Sequence, residues 1–390
     1  MGIYLDHAAT TYTDERVLEA MLPYFTEKFG NASTPYSYGR EADKAIMAAR
    51  GDVADAIGAK REEIYFTSGG TESDNWAIKG AAETAKKGHI ITSSIEHHAV
   101  LDTCKYLESR GFDVTYLPVD SSGMVTPESV ENAIRPDTIL ITIMFTNNEV
   151  GTIMPIADIG SIAKKRGILF HTDAVQAAGH VPINVAEMNI DMLSMSAHKF
   201  YGPKGVGALY VRKGINLGKY MHGGAQERDH RAGTINTPGI VGLGAAIKLA
   251  AETMESETKH ELALSKRLRE GLLKIPASKL NGHETQRLPG NVNITFSFIE
   301  GEAVMQYLDL EGIAVSTGSA CTSGSTHPSH VLLAMGVGIE DARAAIRFTL
   351  GRENTEEDID VVIAKTESIV QKIREISPLF AQYKGGLKNV

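Results

Sequence analysis

Cysteine, tryptophan and long apolar runs are scarce in this 390-residue chain. With only two cysteines, a disulfide framework is excluded as the basis of the fold, and we expect a reducing compartment such as the cytoplasm. No apolar run approaches the ~18 residues that a membrane-spanning helix needs. Asp6 and His7 stand where a signal peptide would be apolar. These absences predict a globular protein with no membrane partner.

The chain also lacks an excess of positive charge. It has 39 Lys and Arg against 48 Asp and Glu, which gives a formal net charge of −9. Non-specific nucleic-acid binding needs clustered basic residues, so we expect no direct nucleic-acid partner. Glycine, by contrast, is frequent at 38 residues, and it clusters in short polar loops. That distribution is typical of tight turns around a site rather than of a flexible linker.

Apolar strand patterns alternate with helical periodicity through most of the chain. This alternation predicts a mostly parallel α/β sheet with helices on both faces. The predicted strands are residues 64–67, 89–93, 113–117, 139–146, 168–172, 192–196 and 207–211.

The pattern changes after about residue 255. A charged helix over 255–273 leads to strands at 291–298 and 345–350 and to a last long helix that Thr355 and Asp358 would cap. We predict a large α/β domain over 15–254. A smaller α+β domain would be formed by 1–14 and 255–390.

Two chemically useful residues stand at the ends of predicted strands. Lys199 follows strand 192–196 in the run Ser-Ala-His-Lys, and Asp173 follows strand 168–172 about one crossover unit earlier. Parallel sheets bind ligands at the carboxyl ends of their strands. A partly buried lysine amine links readily to carbonyl groups, and a carboxylate beside a pyridine nitrogen makes the ring an electron sink. The plainer alternatives are an exposed turn lysine and a helix N-cap.

A run of small residues at 67–73 joins strand 64–67 to a helix and contains Gly70 and Thr71. Such a run lets backbone amides close on a phosphate at the helix N-terminus. The run lacks the Gly-Lys-Ser/Thr ending of a nucleotide P-loop and does not match the dinucleotide fingerprint.

Four other polar residues lie near predicted strand ends. His97 could stack on an aromatic cofactor or lie at the surface; because His97 and His98 point in different directions, we expect no metal site from this pair. Gln176 could hydrogen-bond a cofactor oxygen or be a solvated helix residue. Arg347 could hold a substrate carboxylate through two parallel hydrogen bonds or form a surface ion pair, and Arg352, just after the last predicted strand, has the same two alternatives.

The two thiols have contrasting surroundings. Cys321 lies among Gly, Ser, Thr and Ala at 316–325, which predicts an accessible thiol on a mobile loop. Cys104 shares helical spacing with Val100 and Leu107, which predicts a core residue.

The chain resembles the class V, fold-type I enzymes that depend on pyridoxal 5'-phosphate (PLP), and among them the NifS/IscS-type cysteine desulfurases. The resemblance runs nearly end to end and departs in small ways, such as His7 where Asn is more usual. It is carried by residues 4–11, 29–31, 68–75, 96–97, 147–151, 173–176, 196–199, 222–224, 226–228, 319–322 and 347–352.

The resemblance implies a seven-stranded sheet plus a smaller α+β domain, a homodimer, and conversion of L-cysteine to L-alanine. Lys199 would carry PLP, and Cys321 would carry the sulfur as a persulfide to an iron–sulfur scaffold or another acceptor. Cys321 could also ligate an iron–sulfur cluster transiently, but no stable metal site is expected. The resemblance also implies three sets of contacts. The PLP phosphate would contact Gly70, Thr71, Ser196, His198 and the partner subunit's Thr234, and the PLP ring would contact His97, Asn148, Asp173 and Gln176. The substrate carboxylate would contact Asn31 and Arg347.

Two other classes of protein remain as alternatives; a third, a non-catalytic scaffold, is disfavoured by the complete set of site residues. A class V aminotransferase or a selenocysteine lyase would share the PLP site, although an aminotransferase has no need of Cys321. A nucleotide- or NAD-binding protein would share the sheet but have no reactive Lys199. An absorption spectrum separates PLP enzymes from the second class.

Overall fold

The computed structural model describes residues 2–317, 328–378, 380, 381 and 383. No helix in this part of the chain is long and apolar enough to cross a membrane. The strands are β1 (Ile3–Tyr4), β2 (Ile64–Thr67), β3 (His89–Ser93), β4 (Asp113–Leu117), β5 (Thr138–Thr142), β6 (Leu169–Asp173), β7 (Met192–Ser196), β8 (Gly207–Val211), β9 (Ser278–Asn281), β10 (Asn291–Phe296), β11 (Ile313–Ala314) and β12 (Ala345–Thr349). The helices are α1 (Glu15–Met21), α2 (Pro23–Thr26), α3 (Ser37–Ile57), α4 (Gly70–Ala85), α5 (His98–Glu108), α6 (Pro127–Ala133), α7 (Ile156–Arg166), α8 (Gln226–Asp229), α9 (Thr237–Leu272), α10 (Gly301–Leu310), α11 (His330–Ala334), α12 (Ile339–Arg343) and α13 (Glu356–Glu375).

A seven-stranded sheet forms the centre of the molecule, in the order β2-β8-β7-β6-β5-β3-β4. Strands β7, β6, β5, β3 and β4 are parallel, whereas β8 is antiparallel to both β2 and β7. Neighbouring residues of a strand point to opposite faces. Ile90 accordingly packs in a core with Trp76 of α4, and Ile91 packs in a second core with Ile159 of α7. The predicted mostly parallel sheet with helices on both faces is confirmed.

The parallel strands bring several chain segments to one edge of the sheet. Because their carboxyl ends meet there, the segments after β3, β5, β6 and β7 are neighbours. The predicted strand 139–146 ends earlier, at Thr142. Beyond it the backbone N–H of Met144 donates to the Glu96 side chain, and that of Phe145 donates to the carbonyl of Asp173. The apolar run continues past the strand because this loop is buried.

A smaller α+β part lies beside the main sheet. Strands β12, β10 and β9 form an antiparallel sheet, and the N-terminal strand β1 pairs in parallel with β11. Its separate core includes Leu5 from the N-terminal segment together with Leu268, Phe296, Phe348 and Val362. Thr355 and Asp358 form the expected capping box of α13.

Helix α9 connects the two parts without a break. The sequence predicted a helix only over 255–273, and that start is wrong: α9 begins at Thr237 and is 36 residues long. Glycine lowers helix propensity, which obscures the first half of α9 in the sequence. One of these glycines is needed for close packing, because a Cβ on Gly244 would lie 2.6 Å from the Cβ of Ala49 in α3. The domain division near residue 255 stays a prediction.

Candidate active site

A pocket of about 290 Å³ opens at the carboxyl edge of the central sheet. Its walls come from the N-terminal segment, the start of α4, the loops after β3 and β5, the ends of β6 and β7, and β12. The lining residues are Ala8, Ala9, Gly70, Thr71, Asp74, His97, Met144, Thr146, Asn148, Asp173, Val175, Gln176, Ser196, His198, Lys199 and Arg347. Ten of these residues were predicted as site residues from the sequence.

Lys199 enters the pocket from a short 3₁₀ turn directly after β7. Its Nζ donates hydrogen bonds to the backbone carbonyl oxygens of Ala8 and Ala9, the second at 2.8 Å. The N-terminal segment therefore holds the amine within the pocket. That segment is itself fixed by Thr11, whose backbone N–H donates to the carbonyl of His198 at 2.9 Å.

Asp173 ends β6 and is 6% exposed. Its Oδ1 accepts a hydrogen bond from the backbone N–H of Val175 at 2.9 Å. Burial raises the pKa of Asp173, while His97, this N–H group and Lys199 act in the opposite direction. The carboxylate thus has neighbouring groups that favour its charged form, although burial disfavours that form.

The first turn of α4 offers a site for an anion. A Cβ on Gly70 would lie 2.4 Å from Cγ2 of Val175, so only glycine fits between this turn and the segment after β6. Helix N-termini attract phosphate groups through their unpaired N–H groups. Ser196 and His198 line the same pocket, and His198 is neutral because burial and the nearby Lys199 lower its pKa to about 4. Neutral imidazole can donate or accept a hydrogen bond there.

The segments after β3 and β6 supply His97 and Gln176. His97 accepts a hydrogen bond at Nδ1 from the backbone N–H of Ala99 at 3.1 Å, which fixes its ring at the N-terminus of α5. Burial lowers the pKa of His97, so the ring is neutral over most of the physiological range. Gln176 donates from Nε2 to the carbonyl of Ala8 at 2.9 Å.

Arg347 lies on β12, a strand of the smaller α+β part, and it lines the pocket. It is 3% exposed, and its Nη1 donates to the backbone carbonyl of Asn148 at 3.0 Å. The alternative interpretation of Arg347 as a surface residue is therefore wrong, although Arg347 does form an ion pair, with Asp6 at 2.8 Å. Arg352 instead donates to Asp14 and stacks over Tyr201, away from the pocket lining.

Three predicted site residues are not part of this pocket lining. Asn31 is exposed, and its Oδ1 accepts from the backbone N–H of Ser33 at 3.0 Å. Thr234 is also exposed; its predicted contact is with the PLP phosphate of a partner subunit. Cys321 lies outside the described residues. The roles of these three residues stay predictions.

Sequence reasoning missed two buried acids at the site. Asp74 lines the pocket and is 1% exposed, and Glu96, directly before His97, is fully buried. A signal for Asp74 was available, since a residue four positions after Gly70 lies on the same face of a helix. Glu96 could have been found because it follows β3 as His97 does.

A model of the family described as aminotransferase class-V matches residues 3–362. The chain belongs to the class-V aminotransferase family. It is 60% identical to a protein named cysteine desulfurase IscS from Methanosarcina thermophila, over 97% of this chain and 94% of that protein. A solved structure described as a NifS-like protein has 43% identity and a TM-score of 0.90 and covers 95% of this chain and 100% of its own. A second, described as SspA in complex with cysteine, has 43% identity and a TM-score of 0.81 and covers 90% and 100%.

As a member of the class-V aminotransferase family, the chain is PLP-dependent, and its pocket fits the cofactor. Gly70 packs closely against Val175, and the backbone N–H groups at this end of α4 can bind the phosphate. The buried Asp173 can pair with the ring nitrogen. Lys199 would provide the amine for covalent attachment, and His97 would provide a neutral ring for stacking.

Proposed function

We propose that the chain is a PLP-dependent cysteine desulfurase that converts L-cysteine to L-alanine and passes the sulfur to Cys321. The observation that carries this proposal is the meeting of Lys199, Asp173 and Arg347 in one pocket. These three residues supply an amine, a carboxylate and a carboxylate-binding cation. The 60% identity to a protein named cysteine desulfurase over nearly the whole chain supports the choice of reaction.

When bound, PLP supplies an electron-withdrawing ring that makes the Cα–H bond of the substrate acidic. Asp173 holds a proton on the ring nitrogen by its negative charge. The Lys199 Nζ removes the Cα proton and returns a proton to the product, which requires an amine that is close and not fully solvated. Arg347 holds the substrate carboxylate through its guanidinium group. Each role needs only a side chain that already lines the pocket.

Cys321 receives the sulfur. Its thiolate attacks the sulfur of the substrate; the new S–S bond forms as the C–S bond of the substrate breaks, and the substrate carbon takes up a proton. The balanced reaction is L-cysteine plus the Cys321 thiol giving L-alanine plus the Cys321 persulfide. A nucleophile that must visit both this pocket and an acceptor protein belongs on a mobile loop, as the sequence around Cys321 predicts.

The persulfide would then pass to an acceptor protein, and we infer an iron–sulfur scaffold as the first choice. The proposed working unit is a cytoplasmic homodimer in which Thr234 contacts the PLP phosphate of the partner subunit. The net charge of −9 argues against RNA or DNA as a direct partner.

The purified protein tests this proposal directly. With L-cysteine and a reducing thiol it should release alanine and sulfide in equal amounts, and borohydride should abolish both products together with the near-visible absorption of PLP. Cys321→Ser is the matched control, because it should keep the absorption and release no sulfide. Formation of a 2-oxo acid from cysteine, with no sulfide, would identify an aminotransferase and overturn the desulfurase proposal.

A further inference from the structure

Asp74 is a second acid in the pocket, one helical turn after Gly70 in α4. It is 1% exposed, and its Oδ1 has no hydrogen-bond partner among the described residues. A buried carboxylate without full hydrogen bonding or an opposite charge is costly, so the group tends to take up a proton.

Among the described residues, no Lys or Arg forms an ion pair with Asp74 that would offset that cost. In the described part of the chain, the only basic side chain within 4 Å of its carboxyl group is His171, at 3.7 Å from Nε2 to Oδ1. His171 is fully buried between the hydroxyl groups of Thr142, at 2.8 Å, and Ser194, at 3.0 Å. Burial lowers the pKa of His171 to about 3, so this imidazole is neutral.

Asp74 and Asp173 differ in how well each can hold a negative charge. Asp173 accepts a hydrogen bond from the backbone N–H of Val175 and is stabilised by the positive charge of Lys199. Among the described residues, the hydroxyl of Ser194 is the only group that favours the charged form of Asp74, and the negative charge of Asp173 opposes it. Burial and this like charge raise the pKa of Asp74 well above its ordinary value. Two neighbouring buried carboxyl groups titrate as a pair and do not both ionise easily.

We propose that Asp74 is a positioning residue of this site: as the neutral, protonated member of a two-carboxyl pair, it leaves Asp173 as the ionised member that faces the cofactor ring. This proposal rests on the proposed function for the role of Asp173. The position of the proton in the cofactor-free protein does not depend on it.

Infrared difference spectroscopy of the cofactor-free protein shows directly which of the two carboxyl groups is protonated. At neutral pH, Asp74→Asn should lose one protonated-carboxyl band that Asp173→Asn retains. Glu261→Gln is the matched control: Glu261 is a buried acid whose pKa burial and the nearby Glu257 raise to about 8, so this variant should lose its own band only. Loss of the band in Asp173→Asn and its retention in Asp74→Asn would overturn the proposal. Asp74→Ser, also uncharged, gives the same test if Asp74→Asn does not fold.

A second readout uses the near-visible absorption of the PLP-loaded protein as a function of pH. Since asparagine mimics a neutral acid, Asp74→Asn should leave the acidic limb of this titration at the same pH as in the wild type. A shift of the acidic limb to lower pH by about one unit or more would mean that Asp74 is charged there, and it would overturn the proposal. A protein that binds no PLP contradicts the proposed function instead, while the infrared result stands by itself.

Discussion

Arg347 donates a hydrogen bond from Nη2 to Oδ1 of Asp6 at 2.8 Å. The arginine is therefore held from two sides, by Asp6 of the N-terminal segment and by the Asn148 carbonyl of the loop after β5. Its Nε is buried without a hydrogen-bond partner among the described residues. A guanidinium group held in this way loses little side-chain entropy when it binds a carboxylate. If Arg347 binds the substrate carboxylate as proposed, these contacts orient its guanidinium group before the substrate arrives.

Arg347→Lys should weaken cysteine binding. A lysine amine cannot make two parallel hydrogen bonds to a carboxylate, and losing a charge-assisted contact of ~1.5–3 kcal/mol raises KM roughly ten- to a hundredfold. The absorption of bound PLP should not change. Asp6→Asn is the control, because asparagine can still accept from Arg347, so its KM should rise less. Steady-state kinetics over a range of cysteine concentrations measures both; an unchanged KM in Arg347→Lys would argue against the role of Arg347.

Lys199→Ala should abolish sulfide release. The variant can still hold PLP through its phosphate contacts, but no amine is left for covalent attachment or proton transfer. Borohydride reduction and mass spectrometry should find PLP attached to wild-type protein and absent from Lys199→Ala. Lys204→Ala is the matched control, since Lys204 is an exposed lysine five positions later whose Nζ donates to the carbonyl of Thr11. Full turnover by Lys199→Ala contradicts the assignment.

Asp173→Asn should keep PLP bound but slow removal of the Cα proton. Asparagine has no charge with which to hold a proton on the ring nitrogen. Losing a charge-assisted hydrogen bond of ~1.5–3 kcal/mol in the transition state implies a slowing of roughly ten- to a hundredfold. Exchange of the cysteine Cα hydrogen with deuterated solvent, followed by NMR, measures this step. A rate equal to that of the wild type would exclude the role.

The two thiols should respond differently to replacement by serine. Cys104 is fully buried in α5, and burial raises its pKa to about 12, so it stays a thiol and fills volume. Cys104→Ser should keep activity with a stability loss of ~1–3 kcal/mol from a buried hydroxyl. Cys321→Ser should bind PLP and cysteine but form no persulfide. Mass spectrometry after one turnover should find added sulfur on the Cys321 peptide; sulfur on Cys104 would refute the assignment.

Glu96 should make stability depend on pH. Its Oε1 accepts from Ser93 at 2.6 Å and from the Met144 N–H at 2.9 Å, but burial still raises its pKa to about 8. The folded state therefore binds the proton more tightly than the unfolded state. That stabilisation is complete below the ordinary pKa of 4.5 and is lost as the pH rises to about 8. The loss is about 1.4 kcal/mol per pH unit for a single group.

Glu96→Gln replaces the ionisable carboxyl group with an amide that does not titrate. The free energy of unfolding of this variant should therefore change less with pH within that window. Urea unfolding of the cofactor-free protein at pH values below, within and above the window measures the difference. If the variant and the wild type give parallel curves, Glu96 is not the group responsible.

The sequence predicted most strands of the central sheet closely, because a strand buried on both faces is a short apolar run between polar turns. It also placed Lys199 and Asp173 at one edge, because parallel strands bring their carboxyl ends together. It did not find the first half of α9, where glycines such as Gly244 pack against α3, since helix propensity counts those glycines as unfavourable.

The sequence by itself determined the strand ends that carry Lys199, Asp173 and His97, and the core position of Cys104, since these follow from local periodicity. Only the tertiary structure decided what surrounds each of them. Arg347 meets Asp6 across most of the length of the chain, and the one basic side chain within 4 Å of Asp74 among the described residues, His171, is buried and neutral. Contacts of this kind depend on burial and on distances between remote segments, and a linear pattern contains neither.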